Sequence, residues 1–118
     1  MDGRISHIKK KIAEDLSRPW TIKEMAEEAR ISEPHFRRVF REETGITPSA
    51  YRTDLRLKRA SELLTDPDDF RLIKEIAVEC GFMNESNFTR EFKKRHGMTP
   101  TECRHQAWEI HQSNHPDE

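Results

Sequence analysis

With 118 residues, 33% hydrophobic and 36% charged, the chain has apolar material for one small helical core and a large solvated surface. Its 21 Lys and Arg against 22 Asp and Glu give a formal net charge of −1, so it lacks the basic excess of a typical nucleic-acid binder. No apolar run approaches a membrane span, no signal-peptide pattern follows Met1, and Cys80 and Cys103 are too few for a disulfide framework or a metal knuckle, so a soluble, cytoplasmic protein with reduced cysteines is expected.

Arg4 to Leu16 places Ile5, Ile8, Ile12 and Leu16 at helical spacing, with Lys9 to Lys11 on the wet side. Those lysines could meet phosphate; without a motif around them they are read as an ordinary solvated face. Pro19-Trp20 ends the segment, and Trp20 is expected to cap the core beneath it. Thr21 then N-caps a helix to Ala29, Glu24 completes a capping box, and Ile22, Met25, Ala26 and Ala29 face inward. After a turn at Arg30-Ile31, Ser32 N-caps a third helix with Glu33 and Pro34 in its first turn. Phe36, Val39 and Phe40 point to the core, leaving Pro34, His35, Arg37, Arg38 and Arg41 for the surface or its flank.

Thr47-Pro48 opens the longest helix, to Leu64, spanning about 25 Å at 1.5 Å per residue. Tyr51, Leu55, Ala60, Leu63 and Leu64 form its expected buried stripe, with Leu57 packing beside them. The acidic loop Thr65 to Asp69 leads through Phe70 and Leu72 into a further helix, where Ile73, Ile76, Ala77 and Cys80 recur before Gly81 stops it and Phe82 drops back as an anchor. Asn84 N-caps the next helix, Phe88 and Phe92 lie one turn apart on its inner face, and Gly97 ends it. Its opposite face carries Glu85, Ser86, Asn87, Thr89, Arg90, Lys93 and Lys94. Thr99-Pro100 starts a short final helix; residues 105–118 read as a polar tail that frays from His111.

The chain repeats itself. Ile22-Lys23-Glu24-Met25-Ala26 matches Ile73-Lys74-Glu75-Ile76-Ala77 at an offset of 51 residues. Beyond the turn the offset is 52, pairing Phe36 with Phe88, Arg38 with Arg90, Phe40 with Phe92, Gly45 with Gly97, Thr47-Pro48 with Thr99-Pro100 and Arg52 with Arg104. One extra residue therefore sits in the second turn. Each unit is two short helices joined by a tight turn, the second with a polar outer face, which is what a helix-turn-helix needs to read DNA. Both reading helices are locally basic: Arg37, Arg38 and Arg41 against Glu33, and Arg90, Lys93, Lys94 and Arg95 against Glu85 and Glu91.

In this order and spacing, Ile76-Ala77, Gly81-Phe82, the run Phe88 to Lys94 and Gly97 to Pro100, together with Phe36 to Phe40, Arg56-Leu57, Ala60 and Leu63-Leu64, resemble the DNA-binding domain of the AraC/XylS transcription regulators over residues 5–104. The resemblance implies an all-α, homeodomain-like tandem of about seven helices: a first helix-turn-helix at 23–44, a linking helix at 48–64 and a second helix-turn-helix at 73–96. It implies sequence-specific binding of double-stranded DNA at two adjacent major-groove segments and transcription activation through RNA polymerase. The family commonly carries a sensing or dimerisation domain, which would lie outside this chain. Successive major-groove segments are about 34 Å apart, so more closely spaced reading helices would bend the duplex. The residues placed at DNA are Pro34, Arg37, Arg38 and Arg41 in the first unit and Glu85, Ser86, Asn87, Thr89, Arg90 and Lys93 in the second. Arg90 is best suited to a bidentate guanine contact, Pro34 offers apolar contact alone, and Glu85 serves the helix dipole or accepts from a cytosine amino group. Cys103 stands where the repeat has Tyr51 and the family an aromatic.

No cofactor, metal or enzymatic activity is expected. His7, His35, His96, His105, His111 and His115 share no ligand spacing with one another or with the cysteines, and the acidic loop lacks the glycine and distal glutamate of a calcium loop. The alternative from another class is a helical protein-interaction module that has lost DNA binding, in keeping with the net charge.

Overall fold

The computed structural model describes residues 3–114, and among them seven helices and no strand. They are α1 (Gly3–Glu14), α2 (Ile22–Ala29), α3 (Glu33–Thr44), α4 (Pro48–Leu64), α5 (Ile73–Glu79), α6 (Glu85–His96) and α7 (Pro100–Asn114). The chain divides into two compact units between Leu55 and Arg56, within the unbroken α4.

In the first unit, Ile5, Ile8 and Ile12 of α1 meet Trp20, Met25, Ala26, Ala29, Phe36 and Phe40 in one buried cluster. At the order of 1.5–3 kcal/mol for each large apolar side chain taken from water, such a cluster rather than helix propensity holds short helices together. Leu16, Ile22, Ile31, Val39, Tyr51 and Leu55 are half-buried at its edge, where a fully inward Ile22, Val39, Tyr51 and Leu55 are expected from periodicity. The rings of Phe36, Phe40 and Tyr51 follow one another at 5.7 and 5.4 Å. α1 ends at Glu14, short of the expected Leu16, because Asp15 accepts from the Arg18 amide and the Ser17 hydroxyl and turns the chain. Leu16 still packs on the cluster. Two of the three lysines are engaged within this unit: Lys11 pairs with Glu28 at 3.0 Å, and the Lys9 ammonium lies 5.8 Å from the Tyr51 ring.

In the second unit, Leu57, Ala60, Leu63 and Leu64 of α4 join Ile76, Ala77, Cys80, Phe82, Phe88 and Phe92. Phe82, Phe88 and Phe92 follow one another at 5.0 and 5.6 Å with their rings tilted or edge-on, and the His96 ring closes the row 4.4 Å from Phe92. Both cysteines are free; burial pushes the Cys80 thiol up to about 11 and raises Cys103, which keeps them protonated and unreactive near neutral pH. Phe70 and Leu72 stay largely exposed, the Phe70 ring lying edge-on to Trp108 at 6.2 Å. α7 is longer than the short helix expected, reaching Asn114. It therefore takes in most of the predicted tail, including the backbone at His111 where fraying is expected; residues 115–118 lie outside the described residues.

Candidate nucleic-acid interface

Each helix-turn-helix is fixed by side-chain caps that leave one face of its second helix outward. In the first, the Glu24 amide donates to Thr21 Oγ1 at 3.1 Å while the Thr21 amide donates to Glu24 Oε1 at 3.3 Å, the reciprocal capping box the sequence predicts. Ser32 Oγ accepts from the His35 amide at 3.3 Å and starts α3. In the second, Leu72 has no hydroxyl to offer, so only half the box survives: its amide donates to Glu75 Oε1 at 2.9 Å. Asn84 Oδ1 accepts from the Asn87 amide at 2.7 Å and starts α6. Gly45 and Gly97 close the two reading helices with φ of 83° and 78°, each amide donating back to the carbonyl four residues earlier.

With Phe36 and Phe40 pinned inward, α3 turns Pro34, Arg37, Arg38 and Arg41 to solvent. Arg37, Arg38 and Arg41 line an open groove with Ile22, Thr47, Pro48 and Ser49. Phe88 and Phe92 do the same for α6, whose outer groove is lined by Glu85, Ser86, Thr89, Arg90, Lys93 and Lys94. Of the ten residues singled out by sequence, eight thus gather in two grooves, one on each unit. Pro34 is exposed but outside the groove lining, and Asn87 is half-buried beside its cap.

Charge is distributed to the same effect. Among the described residues, Arg37, Arg38, Arg41, Arg90, Lys93 and Lys94 form no ion pair, although Lys93 lies close enough to Glu102 to help hold that carboxyl down, after the larger effect of the Thr99 hydrogen bonds. Several cations elsewhere are paired: Lys11 with Glu28, Arg59 with Glu62, Arg71 with Asp69 and Glu79. α6 also concentrates Lys93, Lys94, Arg95 and His96 in its last turn, where the helix dipole favours positive charge. A net charge of −1 therefore coexists with two locally basic surfaces, one on each unit. No group of three or more metal-ligating side chains converges among the described residues.

Sequence reasoning missed Thr47 and Ser49 as groove residues, and placed Lys94 on the outer face without counting it in the site. The repeated Thr-Pro-Ser/Thr at 47–49 and 99–101 was the available signal. It also gave no role to Arg52 and Arg104, whose guanidinium groups reach back across their own units to the carbonyls of Trp20 and Arg71.

Residues 25–106 match the family model described as a helix-turn-helix domain. The chain is 35% identical over 96 residues to the HTH-type transcriptional activator RhaR of Klebsiella pneumoniae, a match covering 81% of this chain and 34% of that protein. It thus spans about a third of the length of the curated relatives it matches. A DNA-binding transcriptional dual regulator from Escherichia coli K-12 superposes with a TM-score of 0.79 at 28% identity, covering 92% of this chain and 96% of that one. A transcriptional regulator from Chromobacterium violaceum, of the AraC-type DNA-binding-domain proteins, gives 0.79 at 26% identity over 89% and 92%. Two capped helix-turn-helix units, matched over most of their length by that family model and by these relatives, establish that the chain belongs to the helix-turn-helix domain family, as an AraC/XylS-type DNA-binding domain.

Proposed function

We propose that the chain is the DNA-reading part of a cytoplasmic transcription regulator, an activator, that places α3 and α6 in adjacent major-groove segments of one asymmetric site. The observation that carries this reading is the pair of open grooves whose arginines and lysines have no ion pair among the described residues, on equivalent faces of two helices related by the internal repeat. Unpaired guanidinium groups on a solvent-facing helix suit the O6 and N7 acceptors of guanine and the phosphates on either side. The likeness to RhaR, named as a transcriptional activator, supports the direction of regulation. Arg37, Arg38, Arg41 and Arg90 are the proposed base or phosphate contacts, Ser86, Asn87 and Thr89 hydrogen-bonding partners, and Lys93 a phosphate contact. Pro34 adds apolar contact at the start of α3, and Glu85 serves the α6 dipole. RNA polymerase and a sensing or dimerising domain outside these residues are the proposed protein partners.

Selection of bound sequences from a random duplex library by the purified chain tests this. Two short preferred blocks about one helical turn apart are expected. A single block would remove one unit from base reading, and no enrichment would overturn the DNA reading in favour of a protein-interaction module.

A further inference from the structure

One side-chain hydrogen bond between distant parts of the chain recurs in both units, outside the grooves. Arg52, fifth residue of α4, and Arg104, fifth residue of α7, are equivalent at the later offset of 52; Trp20 and Arg71 are equivalent at the earlier offset of 51. Arg52 Nη1 donates to the Trp20 carbonyl oxygen at 2.5 Å, and Arg104 Nη1 donates to the Arg71 carbonyl oxygen at 2.6 Å. The bonds close loops 32 and 33 residues apart, the difference being the extra residue in the second turn. Both arginines are half-buried, and burial lowers the pKa of Arg52.

The place of these bonds matters more than their energy. Each acceptor carbonyl immediately precedes the N-cap of the scaffold helix, Thr21 for α2 and Leu72 for α5. Each donor leaves the second turn of the helix that follows the reading helix. The entry and exit of the helix-turn-helix are therefore tied together, with the reading helix between them. Phenylalanines hold that helix from below, but a ring packed on a core can slide or tilt by fractions of an ångström. A short, charge-assisted bond across the ends restricts that freedom, and base-edge readout depends on placement to roughly 0.5 Å. Other positions around the bond differ freely between the units: Tyr51 becomes Cys103, Trp20 becomes Arg71, Thr21 becomes Leu72. The arginine-to-carbonyl tie is kept in both.

We infer that Arg52 and Arg104 are positioning residues, each setting the pose of its own unit's reading helix, α3 or α6, against the bases. The inference rests on the DNA reading above. Its test uses Arg52→Met and Arg104→Met, which keep the apolar stem and remove the donors, and Arg52→Lys and Arg104→Lys, which keep charge and one donor group. Affinity is measured for the wild-type selected site and for single-base changes within each block. The ratio of matched to mismatched affinity does not depend on the fraction of protein that is folded, so it separates positioning from simple destabilisation.

Arg52→Met is expected to lose about tenfold discrimination, the scale of one base contact, in the block read by α3 and none in the block read by α6. Arg104→Met should do the reverse, and the Lys variants should recover part of each loss. Unchanged ratios in both blocks, with affinity reduced only in step with the folded fraction from a melt, would overturn the assignment while the DNA reading stood. Equal loss in both blocks would also overturn it. Should a Met variant be unfolded at the assay temperature, Arg52→Gln or Arg104→Gln, too short to reach the carbonyl and uncharged, decides by the same ratios, an unchanged ratio again overturning the assignment. A wild-type chain that selects no site overturns the DNA reading and this inference with it.

Discussion

Arg38 and Arg90 stand at the same place on α3 and α6, two residues after the buried Phe36 and Phe88, with their side chains exposed in a groove and no ion pair to hold them elsewhere. An arginine so placed has its two-pronged donor set free for a guanine edge, which a lysine could not match in geometry. Arg90→Ala is therefore expected to cost about 1–3 kcal/mol at the preferred site and to relax the base preference in the block read by α6. Equilibrium titration of the selected duplex and its single-base variants checks this; a uniform loss across all sequences would make Arg90 a phosphate contact. The inner face of the same helix makes a different claim. Phe92 is fully buried, with Phe88 5.6 Å away on one side and the His96 ring 4.4 Å away on the other. Phe92→Ala should destabilise the second unit by about 3–5 kcal/mol, because the neighbours around a buried ring close only partly over the cavity. Urea unfolding followed by circular dichroism measures it, and a wild-type midpoint would mean that the ring is not part of the core.

The ends of the helices show where sequence was informative and where it was not. Thr21, Ser32, Asn84, Gly81 and Gly97 were legible as caps because each residue type has a backbone preference that the local pattern isolates, and Gly45 as the repeat partner of Gly97. Arg30 was legible only as part of a turn: it occupies the left-handed region at φ 61°, at the repeat position that Gly81 fills with φ 95°, where the Ile31 amide donates back to the Ala26 carbonyl, and a residue type with a Cβ gives no sign of that conformation. Arg30→Gly should therefore stabilise the first unit by about 1 kcal/mol, read as a rise in the urea midpoint at constant slope. The length of α7 was hidden for another reason: beyond Ala107 its described side chains are exposed, so no apolar period marks them as helical. The groove residues on α3 and α6 were found because the phenylalanine spacing fixes which face points outward, whereas Ser49 and the Arg52 and Arg104 ties depend on how separate helices meet. The acidic loop before α5 has a role of its own. Asp69 accepts from the Arg71 Nη2 at 2.7 Å and from its Nε and backbone amide, and the Arg71 side chain is the chief cause that holds the Asp69 pKa down to about 2. Its folded pKa lies below the unfolded value, so this contribution to stability is complete above pH of about 4 and is lost as pH falls through about 2. Asp69→Asn should flatten the stability profile across that acid window and leave its shape near neutral pH unchanged. Thermal melts from pH 2 to 5 compare the two, and parallel acid limbs would assign the loss to other carboxylates.

At the scale of the whole molecule, a chain with a formal net charge of −1 has little long-range pull on a polyanion, so its salt response must come from the few cations that reach phosphate. The grooves supply six: Arg37, Arg38, Arg41, Arg90, Lys93 and Lys94. Each phosphate neutralised contributes about −0.9 to the slope of log affinity against log salt. If Arg38 and Arg90 are given over to bases, four cations remain and the slope should be about −3.6; if all six meet phosphate it should approach −5.4. Lys94 lines the α6 groove without an ion pair, so Lys94→Gln should reduce the steepness by about 0.9 while leaving the selected sequence unchanged, since a phosphate contact sets register without reading bases. Titration of the preferred duplex over a range of salt, with wild type and this variant side by side, measures both quantities. A slope near zero would place the binding energy in apolar contact and favour a protein-interaction surface. A slope within the expected range, lowered by one phosphate in the variant, would assign the binding charge to these grooves and explain how a slightly acidic chain holds DNA.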